Sequence, residues 1–546
     1  MTADPSTVPP ARGADGTEPV LVAGRWRPAR VAGTFRAVDP ATGRDRPECW
    51  PVSAWSDVAE ALDAAVAAAA VLQATPAGRI ARFLEDYADR LAARGAELVA
   101  VAHAESGLDE RPRLLDVELP RTLDQLRQAA AAAREGTWRM GMIDSRRNIR
   151  SAAFGLGPVV VFPPANFPLA YGAVSGGDFA SAIAAGNPVI AKAHPGNPGV
   201  SALAAREAFA AVVEAGLPPA TVQLLHGIAT EDGPRLVADP RVGGTGFTGG
   251  QDAGRTLFAA AAAAGRVMWV EMGSINPVVL LPAALAERAE AIADELTASV
   301  TGSAGQFCTK PGLVFLVDDA AAAAFTRAVA VRFAAIGPQV LLGRVGRDRF
   351  VAALSRLERA GARVVAGHIG AAGDAGPACH GPTLLEVAAA DLVSRPRELL
   401  VEAFGNATVL VKCPDLDGLV AALTCTEGAL AASVYCGTRG DDAAFARVAD
   451  LLVARAGRIV ENRMTTGLSV TPPMQHGGPW PSAAPPFFSA VGMPWSILRF
   501  ARRVCFDGWS QARLPECLRD APPEGRPWRY VDAAWTRGEP GARDQR

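Results

Sequence analysis

Apolar residues recur at three- and four-residue spacing through the first quarter of the chain. The spacing predicts amphipathic helices over 57–73, 77–106 and 119–136. A polar, arginine-rich stretch at 138–149 then breaks the helical period and reads as a hairpin leaving the domain. From 157 the pattern changes. Short apolar runs at 158–163, 188–193, 221–226, 243–248 and 267–272 predict buried strands, separated by helical stretches at 169–185, 199–215, 231–238 and 251–264. That rhythm means βαβ units on a parallel sheet, an α/β fold. A second α/β run follows, with helices at 286–303, 320–335 and 347–360, strands at 313–317 and 363–367, and further units over 402–412, 416–424 and 432–436. Past Pro472 the helical period fades into Pro, Gly, Ser and Trp, and the chain ends in a charged tail.

A length of 546 residues exceeds one core and predicts two or three domains. With 54 basic against 56 acidic residues and no basic run, neither nucleic acid nor an anionic membrane is an expected partner. The longest apolar stretches, such as 259–265, are alanine-rich and far too short to span a bilayer. The first residues lack a basic start and an apolar core, so they read as a disordered lead-in and not as a signal peptide. Eight scattered cysteines form no CxxC pair or zinc spacing, so the sequence points to no metal and to a reducing cytoplasm. Only three lysines (192, 310, 412) stand against 51 arginines. A lysine kept against such a drift marks a place where a guanidinium does not substitute.

Two blocks carry the chemistry. Cys308 lies in Gly305-Gln306-Phe307-Cys308-Thr309-Lys310, and Glu271 ends an apolar run in Glu271-Met272-Gly273-Ser274-Ile275-Asn276. A thiol in a glycine-flanked turn, with a carboxylate elsewhere to activate water, is the equipment of covalent catalysis at an electrophilic carbon. Asn166, between prolines in Pro164-Ala165-Asn166-Phe167-Pro168, ends a predicted strand where an amide can donate to an oxyanion. Lys192 ends the next strand, where open parallel sheets bind ligands, and an ammonium there suits a ribose hydroxyl or a phosphate. Thr248-Gly249-Gly250 and Gly254 join a strand to a helix, letting backbone approach a pyrophosphate at the helix N-terminus. A turn asparagine, a loop lysine, a tight turn, a solvated carboxylate and a buried thiol explain these features singly. Five of them in order at strand and helix ends form a set.

On these blocks, and on Glu402-Ala403-Phe404-Gly405, the chain resembles the aldehyde dehydrogenase superfamily over nearly its whole length. Within it, Lys192-Ala193-His194-Pro195, Gly305-Gln306-Phe307-Cys308 and Met474-Gln475-His476-Gly477-Gly478-Pro479-Trp480-Pro481 are most similar to the NADP-dependent α-ketoglutarate semialdehyde (2,5-dioxovalerate) dehydrogenases. The resemblance implies a Rossmann-type cofactor domain (17–136 and 151–270), an α/β catalytic domain (271–470) and a β oligomerisation arm (137–150 and 484–505). A lead-in of 1–16 and a C-terminal extension of 506–546 flank these. It also implies a Cys308 thiohemiacetal and thioester, with Asn166 at the oxyanion and Glu271 as the deacylation base. Lys192 would hold the adenosine ribose, Glu402 the nicotinamide ribose, and Phe404 would pack near the nicotinamide ring. Where many NAD-using relatives carry a glutamate, this chain has Pro195, so nothing repels a 2′-phosphate; with Lys192 and His194 adjacent, NADP is favoured, NAD staying open. Gly250 replaces the usual serine, losing a hydroxyl but leaving room.

The substrate is the open point. Arg121 is a candidate for the distal carboxylate of a dicarboxylic semialdehyde, because the helix around it flanks the substrate tunnel in this architecture. Phe167, Tyr171, Phe307 and Trp480 equally suit a tunnel for aliphatic or aromatic aldehydes. A catalytically silent structural or binding homologue is the reading of another class. The family likeness implies a homodimer or homotetramer paired through the arm.

Overall fold

The computed structural model describes residues 12–370, 376–521 and 526–540. Most of the expected lead-in, residues 1–11, and the end of the tail, 541–546, lie outside the described residues. The first sheet has eight strands in the order Arg25–Arg27, Val20–Val22, Val222–Leu225, Val189–Lys192, Val159–Phe162, Gly244–Gly249, Val267–Met272, Ala483–Ala484. The five in the middle run parallel. They are apolar on both faces because both faces are covered: Val159 and Val161 enter the core on one side, Val160 and Phe162 the core on the other. The chain builds outward from Val159–Phe162, first to one side and then to the other, so the crevice at the strands' carboxyl ends opens beside it.

The second sheet has seven strands, in the order Arg363–Ala366, Thr383–Ala388, Ala407–Cys413, Pro311–Val317, Asn276–Leu280, Ala429–Tyr435, Ala456–Glu461. All but the first run parallel. A five-stranded sheet takes in the segments expected to form the arm, in the order Ala501–Asp507, Ile149–Gly155, Met142–Asp144, Arg529–Val531, Ala534–Thr536. The C-terminal extension thus adds two strands to the arm, one of them parallel to Met142–Asp144. Among the described residues no single helix is long and apolar enough to cross a membrane.

The differences from the sequence pattern have local causes. The stretch 77–106 is two helices, Ala77–Ala93 and Gly95–Ser106, because Arg94 leaves the helical backbone range before a glycine. Of 169–185 only Gly177–Ala184 is helical. The buried Glu118 carboxylate takes the backbone N–H groups of Leu169 and Ala170 at 2.8 and 3.0 Å, and Gly176 lies so close to Tyr171 that a Cβ would meet its backbone at 2.6 Å. The segment before Gly177 is therefore a tight coil held by tertiary bonds. The strands Asn276–Leu280, Thr383–Ala388 and Ala456–Glu461 and the helix Asp442–Val453 were not predicted. The first hides in the shadow of the Glu271 block, where a five-residue apolar run has too little period to read.

Candidate active site

The turn that carries Cys308 is strained and tightly held. Helix Pro282–Thr301 gives way to Ser303, Ala304 and Gly305, all with left-handed φ (48°, 53° and 68°). Such backbone persists in non-glycine residues only where the surroundings over-determine it. At Gly305 a Cβ would sit 2.3 Å from the Gly405 carbonyl oxygen, so the site admits no side chain. Beyond the turn, the fully buried Asn276 donates its amide to the carbonyls of Cys308 and Lys310, both at 2.9 Å, and its oxygen accepts from Ala431 N–H at 3.0 Å. Lys310, buried, donates to the Ala407 carbonyl at 2.5 Å. Burial draws its ammonium down to about 8, with Glu402 opposing.

Three side chains from distant segments meet in one cluster. Cys308 Sγ is 3.2 Å from His476 Nε2, and His476 Nδ1 is 2.9 Å from Glu271 Oε2. Both Glu271 oxygens and Nδ1 are buried without a well-directed hydrogen bond, so the carboxylate and imidazole face each other as charges off the ideal bonding line. Burial works against a charged imidazole here, but the Glu271 carboxylate, then Tyr171 and Cys308, hold His476 well above its usual range. His476 is thus a strong proton acceptor touching the sulfur. Thr248 pairs with Glu271 across neighbouring strands, which sets the carboxylate at the end of the sheet beside the glycine turn.

Asn166 is buried close by. Its Nδ2 donates to the Gln306 carbonyl at 2.9 Å, two residues before the sulfur, which uses one of two amide hydrogens and leaves the other. Its own carbonyl accepts from Arg113 Nη2 at 2.9 Å. Arg113 is paired with Glu118, both buried, so this cation positions the loop and is neutralised locally.

The groove between the two sheets has the features of a dinucleotide cradle. Gly250 starts helix Gln251–Ala263 with no side-chain cap, leaving the first backbone N–H groups free, and a Cβ on it would meet nothing within 4 Å. A Cβ on Gly249 would meet the Phe247 ring at 2.8 Å, and one on Gly254 would meet Met272 at 2.7 Å, so these two glycines let the turn and helix pack closely. Across the groove Glu402 accepts Ser274 N–H at 3.0 Å, and a Cβ at Gly273 would fall 1.9 Å from its Oε2. Burial raises Glu402 to about 7, against Ser274 N–H and Lys310. Glu402 also lines a cavity of about 320 Å³ with Gln251, Ile275 and Gly428. Phe404 stands partly buried on the same loop, next to the Gly405 carbonyl that backs onto the Cys308 turn. An uncapped helix start, open space at Gly250 and an acidic side chain across the groove fit a nucleotide's phosphates and ribose.

Lys192 ends its strand half-buried, and burial alone draws it down to about 8. His194 lies in the turn just beyond Lys192. Burial, then Lys192, pushes its imidazole far below its usual range, and Nδ1 accepts Gly196 N–H at 3.0 Å. It is a turn residue whose ring nitrogen bonds its own loop.

An aromatic wall borders the sulfur on the other side. Phe307, Phe167 and Tyr171 follow one another with ring centroids 5.7 and 5.5 Å apart, and Tyr171 lies 5.9 Å from the His476 ring. Arg121 stacks over Tyr171 at 5.2 Å and donates to its hydroxyl at 3.3 Å. Burial first, and the Glu271 charge with it, raises the Tyr171 phenol to about 12, although His476 and Arg121 pull it down. Trp480 packs instead near Phe258 and Arg255, away from this wall.

Sequence reasoning missed His476 and Asn276 as site residues. Both stood inside quoted blocks, and the signal was chemical: a histidine, one of only six, beside two glycines. Nothing in the primary structure links position 476 to 271 and 308.

The aldehyde dehydrogenase family profile matches residues 26–483. The chain is 39% identical over 511 residues to alpha-ketoglutaric semialdehyde dehydrogenase 2 of Azospirillum brasilense, covering 91% of this chain and 95% of that one. It is 32% identical over 480 residues to alpha-ketoglutaric semialdehyde dehydrogenase of Acinetobacter baylyi, covering 86% and 89%. Among solved structures, a mutant of aldehyde dehydrogenase C from Pseudomonas syringae, complexed with NAD+ and octanal, superimposes with a TM-score of 0.76 at 22% identity, over 92% of this chain and 99% of that one.

Proposed function

The chain belongs to the aldehyde dehydrogenase family, whose members oxidise aldehydes with NAD(P), and we propose that its substrate is α-ketoglutarate semialdehyde, oxidised to 2-oxoglutarate with NADP. The observation that carries the chemistry is the cluster Cys308–His476–Glu271, with separations of 3.2 and 2.9 Å. Support for the substrate comes from the two semialdehyde dehydrogenase relatives and from Arg121, whose hydrogen-bond partners among the described residues, Tyr171 and Gln125, are neutral.

Cys308 gives its proton to His476 Nε2 and attacks the aldehyde carbon. The free Asn166 amide hydrogen and the Cys308 backbone N–H hold the resulting oxyanion. Collapse of the thiohemiacetal expels hydride and leaves a thioester on Cys308. A bound nicotinamide dinucleotide supplies the acceptor for that hydride. Thr248, Gly249 and Gly250 would hold its pyrophosphate, Glu402 a ribose, and Lys192 the adenosine end with its 2′-phosphate. Glu271, whose carboxylate oxygens make no well-directed hydrogen bond among the described residues, takes a proton from the water that attacks the thioester. The Cys308 thiolate leaves and recovers its proton from His476, the acid departs, and the proton on Glu271 passes to solvent.

The test is steady-state kinetics on α-ketoglutarate semialdehyde, succinate semialdehyde and medium-chain aldehydes, each with both cofactors, on the wild type and on Arg121→Met. The proposal expects highest kcat/KM for the first substrate with NADP, and a loss of about tenfold or more on charged substrates only in the variant, the scale of one charge-assisted bond. The aromatic wall favours a second reading, uncharged aliphatic or aromatic aldehydes. A strong preference for those, unchanged in Arg121→Met, selects it. Subunits pair through the arm in the same proposal, and sedimentation velocity distinguishes dimer from tetramer.

A further inference from the structure

We propose that Glu271, Cys308 and His476 together form a binding site for Zn2+, and that its occupation reversibly switches the enzyme off. Each of the three offers one ligand atom, and these atoms lie within 4.8 Å of one another. A thiolate, an imidazole and a carboxylate are the donor types zinc takes, and three protein ligands plus a water complete its tetrahedron. The Sγ to Nε2 separation is 3.2 Å, against roughly 3.5 Å between sulfur and nitrogen on one tetrahedral zinc. No edge of the triangle exceeds 4.8 Å, so the longest closes by at most about 1.3 Å to match tetrahedral zinc, within reach of a rotation of the Glu271 carboxylate.

Glu271 Oε2 lies 2.9 Å from His476 Nδ1 without a well-directed hydrogen bond, so turning the carboxylate to a metal gives up that one contact. Glu271 and His476 are buried while Cys308 is partly exposed, which gives an entry path over the sulfur. One oxygen donor beside sulfur and nitrogen disfavours Mg2+ and Ca2+, which want oxygen shells. On binding, the Cys308 thiol proton and any proton on the ligating His476 nitrogen pass to solvent, and bonds from zinc to sulfur, imidazole nitrogen and carboxylate oxygen replace the contacts among the three side chains. The nucleophile and both proton-handling groups are then occupied at once, so no partial activity survives in a loaded chain. The inference rests on this geometry and not on the choice of aldehyde.

Titration of the EDTA-treated full chain with Co2+ and Zn2+ tests it. The expected result is one Co2+ per chain with a near-ultraviolet thiolate-to-metal charge-transfer band, bleached by Zn2+. Activity lost to Zn2+ returns on adding EDTA. Cys308→Ser and His476→Ala abolish the band, and Glu271→Gln weakens binding by at least about tenfold, no less than the loss of a group that merely supports a ligand. Cys505→Ser, at an exposed thiol on the arm, keeps the band, and unchanged melting temperatures show that the variants are folded. A wild type without the band, or zinc binding equal in all three site variants, overturns the proposal.

Discussion

The two halves of the active site are built on different plans. The half proposed for the nucleotide is assembled largely from βα units of the first sheet: Lys192 at one strand end, Thr248 to Gly254 at another, with Glu402 reaching over. It relies on backbone and on empty space, and a Cβ at Gly250 would touch nothing. The chemical half joins positions 166, 271, 276, 308 and 476, and its groups are packed against one another with polar atoms left unpaired. A cradle made by repetition tolerates change at single positions. A cluster made by convergence does not, because each group sets the charge and position of the next.

The largest effect falls on the chemical half. His476→Gln lowers kcat by about 10²–10⁴, the worth of a positioned acid–base group, and slows alkylation of Cys308 by iodoacetamide to match. Full-rate turnover in this variant breaks the comparison at its centre. Next comes Asn276→Ala, which releases the Cys308 carbonyl without touching substrate. It is expected to cost about 10²-fold in kcat through misplacement of the sulfur, with cofactor affinity unchanged.

Smaller effects belong to the nucleotide half. Lys192 titrates near 8, so its charge is present below that pH and lost as pH rises through it. The dissociation constant for NADP therefore rises above about pH 8 by at most about tenfold per unit, while that for NAD changes little. Fluorescence titration at several pH values checks the sign, and parallel curves for the two cofactors would remove Lys192 as the phosphate partner. The smallest is Gly250→Ser, which fits the open space and caps helix Gln251–Ala263. It raises stability by a few tenths of a kcal/mol, about the difference between a glycine and a serine cap, read as a small upward shift in melting temperature.

The amino-acid order alone determined the α/β alternation, the strand ends that carry Asn166, Lys192 and Glu271, and the thiol turn at Cys308, because these depend on period, on glycine and proline, and on residue type within one segment. Only the tertiary structure joined His476 to both Cys308 and Glu271, gave Asn276 its hold on the nucleophile turn, kept 169–176 out of a helix through Glu118, and moved the C-terminal strands onto the arm. Each of those outcomes is a hydrogen bond or charge contact between segments far apart along the chain. Such contacts obey no period and no spacing, and they exist only once two sheets and a crossing loop have been brought to the same few ångströms.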